Sequence, residues 1–351
     1  MKQIVSTSNG SLDSRARIVA FPFAGGSDAS YADIARELGD AFAFTTLSLP
    51  GRGATQHIPF YDDWPSLVDD LATEIARLDD GAPLFLFGHS LGALLAYEVA
   101  RELEQRGGAQ PAGVFLSGHP APSRERATDG WRQQTHALPD SDFVEAVRRW
   151  GFFPDAVLDD ADVARYVLPP LRADLRLAET YRHAHGSELR VPCAIYGGAA
   201  DPSTTVDDLR AWRAHVSPHH ACPVESFDGN HFYFLDPSSR AALCASVAGH
   251  IEHWLAALPR RSSQQRATRT RASPRAWARS TIGAMRIRCS PRFASTSCAR
   301  PMRSRLRTAS ARGPTGNSRR MRSNSPTRFA RRASAGRTSS ASCCRTAPTT
   351  C

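Results

Sequence analysis

The sequence predicts an α/β domain built on a mostly parallel sheet flanked by helices, and three observations predict it. Short apolar runs, most of them bounded by Gly or Pro, read as strands buried on both faces. Stretches with apolar residues at i, i+3, i+4 and i+7 separate these runs and read as amphipathic helices. Strands that alternate with helices require right-handed crossovers, and hence a parallel sheet.

The elements follow in order. Arg17-Ile-Val-Ala-Phe-Pro-Phe23, Phe42-Ala-Phe-Thr-Thr-Leu-Ser48, Pro83-Leu-Phe-Leu-Phe87, Gly113-Val-Phe-Leu-Ser117 and Val191-Pro-Cys-Ala-Ile-Tyr196 are the strand runs, and Cys222 to Phe227 is the last strand. Trp64, Leu67, Val68, Leu71, Ile75 and Leu78 share one face of a helix. A second helix spans Leu91 to Arg106 and stops at Gly107-Gly108, a C-terminal signal. A third spans Pro237 to Leu258. Between Gly118 and Arg190 the alternation breaks for 73 residues. Phe143, Val144, Val147 and Trp150, then Val163, Val167, Leu171, Leu175 and Ala178, give this insertion two or three helices, expected to lie over the strand ends. Long insertions in compact domains are commonly lids or binding loops.

Charge divides the chain near residue 259. Residues 1–259 hold 21 basic and 34 acidic side chains, whereas residues 260–351 hold 23 arginines and no Lys, Asp or Glu. This tail has one Leu, two Ile, two Phe and no Val or Tyr, too little apolar surface to offset the entropy of ordering a chain, so it is expected to be disordered. Without repeat or period, it reads as an out-of-frame translation of GC-rich DNA, with a genuine cationic arm as the alternative. The longest mostly apolar stretch, Pro83 to Tyr97, falls short of the ~20 residues that span a bilayer, and no export signal is visible. Three widely spaced cysteines in the body, Cys193, Cys222 and Cys244, fit a reducing cytoplasm.

Gly88-His-Ser90-Leu-Gly92 is G-x-S-x-G, and it follows a strand and opens a helix. That context is the one a nucleophile elbow requires: Ser90 is strained on a sharp turn, and Gly88 and Gly92 leave it room. A serine hydroxyl needs a base to take its proton and a carboxylate to orient that base. In the α/β-hydrolase order both follow the serine. His231, in the turn Asp228-Gly-Asn-His-Phe232 after the last strand, is the candidate base among twelve histidines, of which His119, His183, His185, His215, His219 and His220 are also candidates. His215, His219 and His220 sit among polar residues and are expected at the surface. Asp201, in Gly197-Gly-Ala-Ala-Asp201-Pro202, is the candidate acid, with Asp228 as a rival. The loop after Ser117 reaches no acid before Glu125. An oxyanion needs backbone N–H donors already aimed at it. Leu91 should supply one, and the loop Phe21-Pro-Phe-Ala24-Gly-Gly26 the other, from Ala24 or from Phe23.

Six motifs, in order, resemble type II thioesterases, the free-standing α/β-hydrolases that accompany polyketide and non-ribosomal peptide synthases. They are Phe21-Pro-Phe-Ala-Gly-Gly26, Leu49-Pro-Gly-Arg-Gly53, Gly88-His-Ser-Leu-Gly92, Val167-Leu-Pro-Pro-Leu-Arg-Ala-Asp174 leading to Glu179-Thr-Tyr-Arg182, Gly197-Gly-Ala-Ala-Asp201 and Gly229-Asn-His-Phe232. Asn230 departs from the glycine expected there. The resemblance covers residues 15–258 and has no counterpart for the tail. It implies a thioesterase domain over 1–259, a Ser90, Asp201, His231 triad, a lid over about 119–185 and an acyl donor that is a phosphopantetheine thioester on an acyl or peptidyl carrier protein. No cofactor or metal is implied beyond the substrate's own arm, and a monomer is expected. A general carboxylesterase or lipase shares the triad and is the competing enzymatic reading. A nucleic-acid binder acting through the Arg-rich tail is a third, weakened by the lack of interleaved aromatics.

Overall fold

The computed structural model describes residues 5–9, 14–124, 134–150, 153, 155–183, 186 and 188–258. The expected boundary at 259 and the Arg-rich tail lie outside the described residues. Seven strands form one sheet in the order β1-β3-β2-β4-β5-β6-β7: β1 Val5–Asn9, β2 Ala16–Phe21, β3 Phe42–Ser48, β4 Leu84–His89, β5 Pro111–Ser117, β6 Cys193–Gly198 and β7 Val224–Phe227. Every pairing is parallel except that of β1 with β3. Strand β1 has no apolar run to announce it: it is a polar strand with a single neighbour at the sheet edge.

The strand residues alternate by chemistry as well as by face. Val19, Leu86, Val114, Leu116 and Ile195 pack toward α2 (Trp64–Leu78) and α3 (Leu91–Arg106). Phe44, Phe85, Phe87, Phe115 and Tyr196 pack toward α1 (Ala32–Leu38) and α8 (Pro237–Ala257). Both faces are therefore dry, which is why the strands read as continuous apolar runs. The bounds of β3, α2 and α3 match the sequence reading. The short α1 lay outside that reading.

After β2 the chain runs outward to β3, then returns to β4 on the other side of β2. The connections that leave β2 and β4 therefore diverge, and the carboxyl ends of these neighbours open a crevice of the kind in which α/β sheets bind ligands. The insertion supplies α4 (Asp140–Trp150), α5 (Asp155–Asp159) and α6 (Ala161–Thr180) between β5 and β6. Phe143, Val147, Leu158, Leu171 and Leu175 form a separate apolar cluster among them. The short α7 (Val206–Arg210) precedes β7. Among the described residues no helix is long and apolar enough to cross a membrane.

Candidate active site

Ser90 joins β4 to α3 at φ 56° and ψ −122°, and among the described residues it is the one non-glycine with positive φ. Such a conformation is costly and persists only where its surroundings enforce it. Here the enforcement is visible. Ser90 N–H donates to Ser117 O at 2.8 Å, which ties the turn to β5. A Cβ on Gly88 would lie 1.9 Å from Gly92 O, and one on Gly92 would lie 2.2 Å from Phe21 O. The elbow closes only because both positions lack side chains.

The loop after β2 starts beside this elbow, since Phe21 pairs with Gly88 across the two parallel strands. It forms a β-turn in which Gly26 N–H donates to Phe23 O at 2.8 Å, with Gly25 at φ 76°. Only glycine enters that region without strain. Ala24 and Gly25 thus occupy the centre of the turn, and the Ala24 N–H has no acceptor among the described residues. Leu91 is the first residue of α3, where an N–H has no partner within the helix.

Loops after β6 and β7 are laced together by Ala199 N–H to Phe227 O at 2.7 Å and Ala200 N–H to Gly229 O at 2.8 Å. This lacing brings Asp201 and His231 into contact: His231 Nδ1 lies 2.7 Å from Asp201 Oδ2. The other carboxylate oxygen accepts from Ser203 N–H at 2.8 Å and Ser203 Oγ–H at 2.6 Å. Burial acts to raise the Asp201 carboxyl, but the hydrogen bond and charge of His231, with both bonds from Ser203, hold it below its usual value. Asp228, the rival acid, is exposed. The His231 ring packs against that of His89, next to Ser90, with centroids 4.8 Å apart. Serine, histidine and acid thus reach the same carboxyl edge of the sheet from three separate loops.

A family model for the thioesterase domain matches residues 16–255. Thioesterase PikA5 of Streptomyces venezuelae is 32% identical over 239 residues, which are 68% of this chain and 82% of that protein. Among solved structures, the type II thioesterase BorB from the borrelidin biosynthetic cluster is 31% identical with a TM-score of 0.62, covering 70% of this chain and 96% of its own. The RedJ thioesterase from the prodiginine pathway of Streptomyces coelicolor is 35% identical with a TM-score of 0.60, covering 67% and 85%.

The chain belongs to the thioesterase family. It is an α/β-hydrolase that acts on thioesters.

Two further histidines of this thioesterase surround the site. His89 is fully buried, with Nδ1 2.9 Å from Ser117 Oγ, which is itself 2.9 Å from Tyr233 OH. Burial, then the neighbouring His231 and His119, pushes its pKa well below the ordinary value. His119 is lowered to about 4, chiefly by burial. Both are neutral spacers at working pH.

The helical insertion of the thioesterase meets the β2 loop through its apolar cluster, against which Ala24, Leu168 and Phe153 pack. A Cβ on Gly25 would meet Leu171 Cδ1 at 3.0 Å. Trp150, in contrast, is 49% exposed. One expectation is corrected: His215 is buried, not at the surface. It sits between Tyr97, Trp212 and His183, with Nε2 3.0 Å from Ser123 Oγ, because the chain after α7 folds under the start of the insertion. His219 is exposed, as expected.

Three contributors escaped the sequence reading. Ser203 carried a readable signal, since an Asp two residues earlier favours such a turn. Arg52 and Asp174 pair at 2.7 Å from motifs 122 residues apart, and only the fold joins them. No cluster of three or more His, Cys, Asp or Glu able to hold a metal occurs among the described residues.

Proposed function

We propose that this thioesterase releases acyl groups from the phosphopantetheine arms of carrier proteins in polyketide or non-ribosomal peptide synthesis, through an acyl-enzyme on Ser90. The observation that carries the reading is the His231–Asp201 pair, packed on the ring of His89, the neighbour of a strained, glycine-framed serine. The biosynthetic associations of BorB and RedJ support the substrate class.

In this mechanism Ser90 Oγ attacks the thioester carbonyl while His231 Nε2 takes its proton. Asp201 holds the ring with Nδ1–H bonded, so that Nε2 is the free base, and stabilises the imidazolium. The oxyanion accepts from the Ala24 and Leu91 N–H groups. Collapse breaks the C–S bond, and His231 returns the proton to the departing thiol. Water, deprotonated by the same histidine, then attacks the acyl-serine; the acyl–Oγ bond breaks, His231 returns the proton to Ser90 and the free acid leaves. One slow displacement becomes two faster ones.

Intact-mass measurement with a panel of acylated carrier proteins tests this. Loss of the acyl mass from the carrier, a transient acyl adduct on the enzyme and neither event in Ser90→Ala are expected. Hydrolysis of simple esters with carrier proteins untouched would favour a general carboxylesterase. An adduct retained in Ser90→Ala would refute the nucleophile.

A further inference from the structure

The turn that bears Ala24 is gripped by a buried ion pair. Asp174, one turn beyond the Pro169-Pro170 pair of α6, has a side chain 3% exposed, and Arg52, in the loop after β3, has one 6% exposed. Arg52 Nη1 and Nη2 donate to Asp174 Oδ2 and Oδ1, both at 2.7 Å. The same two groups then reach into the turn: Gly25 N–H donates to Asp174 Oδ2 at 2.8 Å, and Arg52 Nη1 donates to Gly26 O at 2.7 Å. Carboxylate and guanidinium thus hold adjacent backbone groups of one turn.

An ion pair this dry is a poor source of stability, because desolvation offsets the attraction. Its geometry accounts for it better. The peptide that follows Ala24 is fixed by Asp174, and the carbonyl of Gly26 by Arg52. Leu171, on the same face of α6 as Asp174, closes over Gly25. A hydrogen-bond donor contributes to catalysis only if it is already aimed, since an error of about 1 Å can cost on the order of 100-fold in rate.

We propose that Arg52 and Asp174 are positioning residues for the oxyanion site, holding the Phe23–Gly26 turn so that the Ala24 N–H faces the reacting carbonyl. The inference rests on the serine mechanism above. It also makes α6 a fixed wall of the site, since Trp64 Nε1–H to Leu177 O at 2.9 Å anchors the same helix elsewhere.

The test uses Asp174→Asn and Arg52→Lys. Asn retains an acceptor and Lys retains a charge, but neither preserves the paired fork. Kinetics on an acyl thioester are compared with the rate at which a fluorophosphonate phosphonylates Ser90. In that reaction the Ser90 oxygen bonds to phosphorus, fluoride leaves and the phosphoryl oxygen takes the oxyanion position. Both variants should lose at least tenfold in kcat and a similar factor in phosphonylation, with KM within about threefold of wild type. Trp64→Phe, which loosens the same helix without touching the turn, should leave both rates within twofold.

Folded variants with near-wild-type rates would overturn the inference, as would an equal loss in Trp64→Phe. Should the variants fail to fold, amide exchange in the wild type still decides: the Gly25 N–H should exchange slowly, and fast exchange would refute the clamp. A wild-type enzyme that never reacts at Ser90 would refute the serine reading itself, whereas normal reaction with unmoved variants would refute this inference alone.

Discussion

The Asp201 carboxylate meets His231 Nδ1 at 2.7 Å with its side chain fully shielded from solvent, although 30 residues separate the two in the chain. Two loops distant in the chain are set side by side by the pairing of β6 with β7 and laced by the Ala199 and Ala200 N–H groups. The electrostatics follow from the contact: burial acts to raise the carboxyl, but the imidazole and Ser203 outweigh it and hold the carboxyl below its usual value.

Replacing Asp201 with Asn should lower kcat by about 10⁴, the loss seen when the orienting carboxylate of a serine triad becomes an amide and the wrong tautomer is favoured. Thermal stability should change little. Near-normal turnover, measured on a thioester substrate, would direct attention to another acid.

If the insertion covers the acyl group, residues of the apolar cluster against which Ala24 packs should set acyl-chain preference. Leu171→Ala and Phe143→Ala are expected to shift the chain-length profile by roughly 1–3 kcal/mol of discrimination per methylene-scale contact, as apolar pockets do. Trp150→Ala should leave that profile unchanged, because Trp150 is half-exposed at the end of α4. Competition assays with mixed acyl thioesters measure this, and a large fall in melting temperature with no change in profile would make Leu171 and Phe143 ordinary core.

Stability should fall on mild acidification. His119 and His215 are each lowered to about 4, first by burial, whereas an unfolded histidine titrates near 6.5. Between pH ~6.5 and 4 the unfolded chain therefore binds more protons than the folded one, and acid favours unfolding. Each histidine adds a slope of up to ~1.4 kcal/mol per pH unit in that window and none above it. Urea denaturation at pH 7, 6 and 5 should show this decline. His215→Gln should flatten it, and an unchanged slope would remove His215 from the account.

Truncation after residue 259 should leave thioester hydrolysis unchanged, since the family match ends at 255 and α8 ends at Ala257. Solubility should rise, because 23 arginines without an acid bind anionic surfaces unselectively. Loss of activity on truncation would show that the tail serves the enzyme.

The sequence by itself determined the features with local causes. Fully buried strands declared themselves as apolar runs, α2 and α3 as helical stripes, and Ser90 as the one serine whose flanking glycines permit an elbow. Chain order was enough to nominate Asp201 and His231, because each follows a strand whose carboxyl end faces the same edge. The tertiary structure decided what depends on remote partners. Strand β1 has a polar sequence and exists through pairing with β3, and the burial of His215 is imposed by Tyr97, Trp212 and Ser123. The grip of Arg52 and Asp174 on the Ala24 turn required three segments to converge. Periodicity records which face of an element is dry, whereas a hydrogen bond across 122 residues leaves no trace in the local pattern of either partner.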